Sequence, residues 1–395
     1  MNAANTCKRF WDCAESLKFR FRSVAIENTH HPYSKADVVS ADNTPTFLRN
    51  FGHLVESVEW RFVGNQKRQD EMLKLLVKCC GKTLKRLQIT NNNPDFNERS
   101  QLPALETLIL YNAQPINFCL DSPLKYLEIQ TFQHVGGGVD LTNQRPWFVR
   151  GFPHLETVRF NTSEITDATL TQFLSFNRQL RALEVDSEYL TPMIFESIGL
   201  YSRNIERLQI KSVEFDEFDS SKLHEELLHL SALRKLSEFH ISGRVSLEIL
   251  FKIFAENNVP IRSLEVDVAA AVNDSSLPTI KTLNHLQCIC RSDIDEHYLV
   301  NLAKSQPALQ TLQVMNIGSS VSIEAIEKIL KSGRNLTNFA LSFCGGYFEL
   351  ENYNRILMLA RNRVEVRIIV SKRRQVNVPT DILRTNRRWL RIMFG

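Results

Sequence analysis

No run of about 18 apolar residues occurs in the 395-residue sequence, so a membrane-spanning helix is excluded. Residues Met1 to Arg9 lack the apolar stretch of a secretory leader, and none is expected there. Phosphate-loop chemistry is also missing, because Gly136-Gly-Gly138 is not followed by Lys and Ser or Thr. The nucleophile motifs Ser-x-x-Lys and Gly-x-Ser-x-Gly are absent, as is a paired His-Glu metal motif. These absences point away from an enzyme, and no catalytic, cofactor or metal site is expected. The eight cysteines lie scattered along the chain. Without a leader they read as reduced thiols in cytoplasm or nucleus. Cys288-x-Cys290 lies near Asp293, Asp295 and His297, yet its spacing puts both thiols on the core side of a strand. Buried inert thiols are the expectation there, and not zinc.

What the sequence does contain is a repeat. Leu155-Glu-Thr-Val158-Arg-Phe160, Leu180-Arg-Ala-Leu183-Glu-Val185 and Ile205-Glu-Arg-Leu208-Gln-Ile210 start 25 residues apart, twice running. A fixed period in this range marks a solenoid. Apolar residues alternate within each phrase, which is the pattern of a strand with one buried face. Further phrases open at Val55, Leu84, Leu105, Leu124, Leu236, Ile261, Leu283, Leu309 and Leu336, and another follows at Val364-Glu-Val366-Arg-Ile368. Amphipathic segments fill most gaps: 69–79, 166–176, 191–201, 246–256, 295–305, 322–331 and 353–361. Ser322–Lys331 is the clearest, with Ile323, Ile326, Ile329 and Leu330 on one helical face. Two short gaps, after Leu84 and Leu105, carry Asn91-Asn-Asn-Pro94 and Gln114-Pro115 and read as loops.

The expected fold is therefore α/β: a leucine-rich-repeat solenoid, a horseshoe of about 12–13 repeats with parallel strands on the concave face and helices on the convex face. Its parts would be an N-terminal cap helix over 1–28, a polar connection over 29–46, repeats over 47–371 and a basic tail or cap over 372–395. From Arg361 to Gly395 ten Arg or Lys stand against two acids. That tail could be a nuclear signal, bind an acidic surface, lie as a helix at a membrane interface, or cap the last repeat with Trp389, Leu390 and Phe394. The excursion Gln133 to Arg150 either folds onto the rim or plugs the solenoid with Trp147 and Phe148.

About twelve stacked strands give an arc of roughly 50 Å, long enough to grip a protein. The residue between the two inner apolar positions lies at the centre of that arc. In chain order this column includes Glu59, Gln88, Glu128, Arg159, Glu184, Gln209, His240, Glu265, Gln287 and Gln313, the candidate partner-binding residues. Ile109 and Ala340 complete it. The column is polar and mildly acidic, so either it grips a partner with basic or amide groups or it is a solvated sheet face.

Residues Cys7-Lys-Arg-Phe10-Trp11 open a helix that carries Ala14 and Leu17, and Ser23-Val-Ala-Ile26 follows. This resembles the last third of an F-box, over about 20 residues. The repeats, with their longer period, resemble the cysteine-containing type found in F-box proteins. The resemblance to the F-box/leucine-rich-repeat family implies a substrate-recognition subunit of a cullin-type ubiquitin ligase. It implies adaptor contact through Phe10, Trp11 and Leu17, provided the opening F-box helices lie upstream of Met1. The F-box is expected here only as its C-terminal part, so these residues could instead cap the first repeat. The alternative is a non-catalytic scaffold or inhibitor unrelated to ubiquitination. A monomer is expected, with a protein in the groove and no nucleic acid partner.

Overall fold

The computed structural model describes residues 22–27, 37–40, 42–61, 66–90, 102–112, 122–131, 148–162, 165–211, 220–268, 277–290, 295–317, 321–343, 355–356, 358–360, 364–370 and 390–394. The chain divides into two compact units, Met1–Ser187 and Glu188–Gly395. Each is an α/β leucine-rich-repeat solenoid.

The first unit holds strands β1 (Ser23–Glu27), β2 (Asp37–Ser40), β3 (Ser57–Arg61), β4 (Arg86–Thr90), β5 (Thr107–Tyr111), β6 (Tyr126–Gln130), β7 (Thr157–Asn161) and β8 (Ala182–Asp186). Their spatial order is β2-β1-β3-β4-β5-β6-β7-β8, and every neighbouring pair is parallel. The Ser23-Val-Ala-Ile26 stretch, which follows the expected cap helix, forms β1. The stretch 29–46, expected to be a connection, is not one throughout: it contains β2, and helix α1 (Thr44–Phe51) begins in it. Pro45 sits in the first turn of α1, where a missing N–H costs nothing. Helices α2 (Gln66–Cys80) and α3 (Asp167–Phe176) return the chain between strands. Thr166 caps α3, its hydroxyl accepting from the Thr169 N–H at 3.4 Å.

The strand phrase buries its residues as predicted. In β3 and β7 the apolar residues alternate inward, and Val58, Trp60, Val158 and Phe160 are all buried. Phe148, from the end of the long excursion, packs with Phe160 and Phe173 at centroid distances of 5.7 and 6.1 Å. Phe160 and Phe173 meet edge to face at 5.2 Å. Phe148 is therefore a plug of this core, as the second reading of the excursion required. Trp147 lies outside the described residues, as do Phe10, Trp11, Leu17 and the two loops marked by Asn91 and Gln114.

The second unit holds helix α4 (Ile194–Tyr201), β9 (Arg207–Lys211), α5 (Ser220–Leu227), β10 (Glu238–Val245), α6 (Leu247–Glu256), β11 (Ser263–Val268), β12 (His285–Cys290), α7 (Glu296–Ser305), β13 (Thr311–Ile317), α8 (Ile323–Ser332), β14 (Asn338–Phe343), β15 (Glu365–Val370) and β16 (Leu390–Phe394). Strands β9 to β16 pair in chain order, all parallel. The predicted thirteenth phrase is β15. Residues 355–356 and 358–360, within the helix expected over 353–361, are helical. The gap after β9, where the sequence predicts no helix, carries α5. Residues 390–394 of the basic tail form β16, a further parallel strand beside β15, and not a helix.

Helix starts here follow the same chemistry. The Ser322 hydroxyl accepts from the Ala325 N–H at 3.1 Å, and the Asp295 carboxylate accepts from the His297 N–H at 2.8 Å. Ile323, Ile326, Ile329 and Leu330 of α8 are buried. Leu183 in the first unit and Leu208 in the second are both buried, as their place in the phrase requires. Cys288 and Cys290 lie buried on the core side of β12, and burial pushes the Cys288 thiol up. Asp293 is outside the described residues.

A second repeating device lies behind the strands. In most repeats the carbonyl three positions before the strand-opening apolar residue accepts from that residue's N–H; at Leu84, Leu124, Ile261 and Val364 the acceptor lies two or four positions before. Examples of the three-residue step are Leu155 to Phe152 at 3.0 Å, Leu180 to Asn177 at 3.3 Å and Leu309 to Gln306 at 3.1 Å. Two such positions carry buried amides that reach back one repeat. Asn177 Oδ1 accepts from the Phe152 N–H at 2.7 Å, and Gln306 Oε1 accepts from the Ile280 N–H at 2.9 Å. Each amide thus ties one repeat's turn to the equivalent turn of the repeat before it.

Candidate functional site

Parallel pairing in register turns a sequence column into a spatial row. In the first unit Glu59 pairs with Gln88, Gln88 with Ile109, Ile109 with Glu128, Glu128 with Arg159, and Arg159 with Glu184. In the second unit Gln209, His240, Glu265, Gln287, Gln313 and Ala340 follow one another likewise, and Arg367 and Arg391 extend the row onto β15 and β16. All ten candidate residues thus take the central position of a strand's outer face. Arg367 belongs to the same row but was not picked out from the sequence, although its place in Val364-Glu-Val366-Arg-Ile368 matches that of Arg159.

The glutamates of these rows are not bare anions. Glu59 forms an ion pair with Arg61 and accepts from Gln88 Nε2 at 3.0 Å. Glu184 accepts from Arg159 Nη2 at 2.7 Å, a bond that raises the guanidinium pKa. Glu265 meets His240 Nδ1 at 3.2 Å and accepts from Gln287 Nε2 at 2.8 Å. Glu128 is 5% exposed and accepts from both Tyr111 Oη, at 3.2 Å, and Tyr126 Oη, at 2.6 Å. A partner that used any of these carboxylates would have to share or displace an existing donor. Arginine thus offsets the charge of Glu59 and Glu184, while Glu128 and Glu265 keep theirs but are already engaged by tyrosine, glutamine and histidine side chains. Amides, hydroxyls and guanidinium groups are what each face presents.

The Tyr111–Glu128–Tyr126 group is the most buried polar cluster of the first unit's row. Strand register explains it. Tyr111 lies two residues beyond Ile109 on β5, and Tyr126 lies two residues before Glu128 on β6. The two phenols thus reach one carboxylate from opposite ends of the strands. Burial first, and then the Glu128 charge, raise the Tyr111 pKa. For Tyr126 burial leads again, followed by its hydrogen bond to Glu128, and the shift is larger. Raised folded pKa values keep these phenols protonated in the native state while the unfolded chain ionises near the ordinary value of 10.0. The stability they contribute is fully present below that value and is lost as pH rises through the folded values. Alkaline titration should show native phenolate absorbance rising later than in the denatured chain, and Tyr126→Phe should remove much of the lag. A native curve superimposable on the denatured one would contradict the cluster.

The described residues contain no group of three or more His, Cys, Asp or Glu placed to hold a metal ion. Nor do they contain a helix long and apolar enough to cross a membrane. Fold and face together define a leucine-rich-repeat solenoid with register-aligned polar rows. No protein-family model matches the sequence, and no curated protein matches it either.

Proposed function

We propose that this chain binds another protein along its strand faces, and that it serves as the substrate-recognition subunit of a cullin-type ubiquitin ligase in cytoplasm or nucleus. The observation that carries the first part is the in-register row of polar side chains in each unit. Such a row offers hydrogen-bonding groups about 4.8 Å apart along a stiff scaffold, the spacing of successive strands. A partner then needs little reordering of this protein to bind, which favours affinity. The ligase assignment rests on the resemblance of residues 7–26 to the end of an F-box. The ubiquitin chemistry would belong to other subunits.

The test is binding to the purified ligase adaptor. A longer chain that joins the opening F-box helices to residues 7–26 should bind it, and more tightly than residues 1–395 by themselves. Trp11→Ala in the longer chain should weaken binding about tenfold or more, because tryptophan is a common anchor at protein interfaces. Absence of binding by either chain would leave the scaffold or inhibitor reading in its place.

A further inference from the structure

The row of long polar side chains in the second unit breaks at one strand. Gln287 and Gln313 occupy the centres of β12 and β13, Arg367 that of β15, and between them β14 carries Ala340. A lone methyl leaves space that a glutamine would fill. An open depression of about 240 Å³ lies there, walled by His285, Thr311, Gln313, Asn338, Glu365 and Arg367. Small-molecule sites run to roughly 300–1,000 Å³, so this notch suits a single side chain better.

Its walls favour one sign of charge. Arg367 Nε donates to Glu365 Oε1 at 3.0 Å, which engages that carboxylate and orients the guanidinium. The terminal amino groups of Arg367 have no partner among the described residues, and neither does the Gln313 amide. Burial lowers the His285 pKa, so its imidazole adds a neutral donor and acceptor and no competing charge. The register neighbour of Arg367 on β16 is Arg391. Both lie in the stretch from Arg361 to Gly395, where basic residues outnumber acids ten to two. The donors left open among the described residues suit an anion, as does the basic composition of the stretch to which Arg367 belongs. A planar guanidinium held by its Nε can present its two amino groups to a carboxylate.

We propose that the notch over Ala340 receives an aspartate or glutamate side chain of a partner polypeptide, with Arg367 as its ion-pair donor. This rests on the protein-binding reading above and names the partner's chemistry at one point of the face.

The probe is a fluorescent peptide of alternating glutamate and serine, titrated by anisotropy at physiological ionic strength against the whole chain. A peptide with glutamine in place of glutamate is the comparison. The glutamate peptide should bind, and the glutamine peptide should bind at least about tenfold more weakly. Arg367→Ala and Ala340→Gln should each weaken the glutamate peptide by about the same factor. Ala340→Gln is the decisive variant. It installs the residue that β12 and β13 already carry at this position, so the fold should hold, and it fills the notch without changing charge. Arg334→Ala removes the same charge from the turn after α8 and should change nothing. The proposal is overturned by no binding to the unmodified chain or by equal affinity for both peptides. It is equally overturned if Ala340→Gln has no effect or if Arg334→Ala weakens binding as much as Arg367→Ala. The adaptor experiment does not use this face, so failure here with adaptor binding intact would remove the notch alone.

Discussion

Phe160→Ala should lower the stability of the first unit by about 3–5 kcal/mol. Phe160 is fully buried on β7, and its ring meets Phe173 from α3 and Phe148 from the segment that leads into β7. Three separate pieces of chain therefore converge on one side chain. Truncation leaves a cavity that none of them can close without pulling away from its own backbone bonds. The transfer and cavity terms then add, placing the loss at the upper end of the core range. Leu183→Ala on β8, which removes an equally buried but smaller group, should cost about 2–5 kcal/mol. Denaturant melts of the purified variants measure both losses. Hydrogen exchange should rise most over 157–186 and less over β3, because a repeat stack is held by nearest-neighbour contacts. A loss below about 1 kcal/mol, or a uniform rise in exchange across the unit, would count against a linear stack cored by this trio.

The strands were legible because their signal is local and repeated. A phrase such as Leu-x-x-Leu-x-Ile fixes which side chains turn inward, and parallel register then fixes the row between them. For that reason Glu59, Gln88 and Glu128 could be placed on one face from sequence alone. Their state could not be. Glu128 is buried because Tyr111 and Tyr126 reach it from different strands, and nothing in the order of residues announces that meeting. The polar count along a column sees charges, but it does not see the arginine, glutamine and tyrosine donors that the fold brings to them.

The misses have physical causes as well. Asp37-Val-Val-Ser40 is too short to show alternation, so β2 at the sheet edge passed as connection. Pro45, within the stretch expected as a connection, is a common loop residue, yet in the first turn of a helix it is well accommodated. The basic residues of the tail suggested a surface helix or a cap. Leu390 to Phe394 form no helix but extend the sheet beside the last repeat, where alternate residues pair with Val366, Ile368 and Val370. Ala340 was visible in the column, but its consequence depends on the length of its neighbours across three strands.

The amide staples were also missed, and they carry the other large effect. Asn177→Ala should destabilise the first unit by about 2–5 kcal/mol, more than a typical polar-to-alanine change. Asn177 is fully buried, and its side chain makes three bonds. Oδ1 accepts from the Phe152 N–H at 2.7 Å, while Nδ2 donates to the carbonyls of Phe173 at 2.8 Å and Arg150 at 3.1 Å. Alanine would strand a donor and two acceptors at once. The Phe173 and Phe152 groups lie where water does not reach, and each stranded group costs about 1–3 kcal/mol. The loss should not be recovered by Asn177→Asp, which keeps the acceptor for Phe152 but as an anion faces two carbonyl oxygens and as an acid can donate to only one of them. Asn177→Gln lengthens the side chain in a packed site and should recover little. In the second unit Gln306→Ala should behave alike, because Gln306 spans the same step with bonds to the Ile280 N–H and the Pro278 carbonyl, each 2.9 Å long. Ser202 stands at the matching position after α4, and its hydroxyl oxygen is buried without a bond. Ser202→Ala should therefore cost little. Melting curves of the three alanine variants decide the matter: equal small losses at Asn177, Gln306 and Ser202 would mean that the staples do not hold the repeats together.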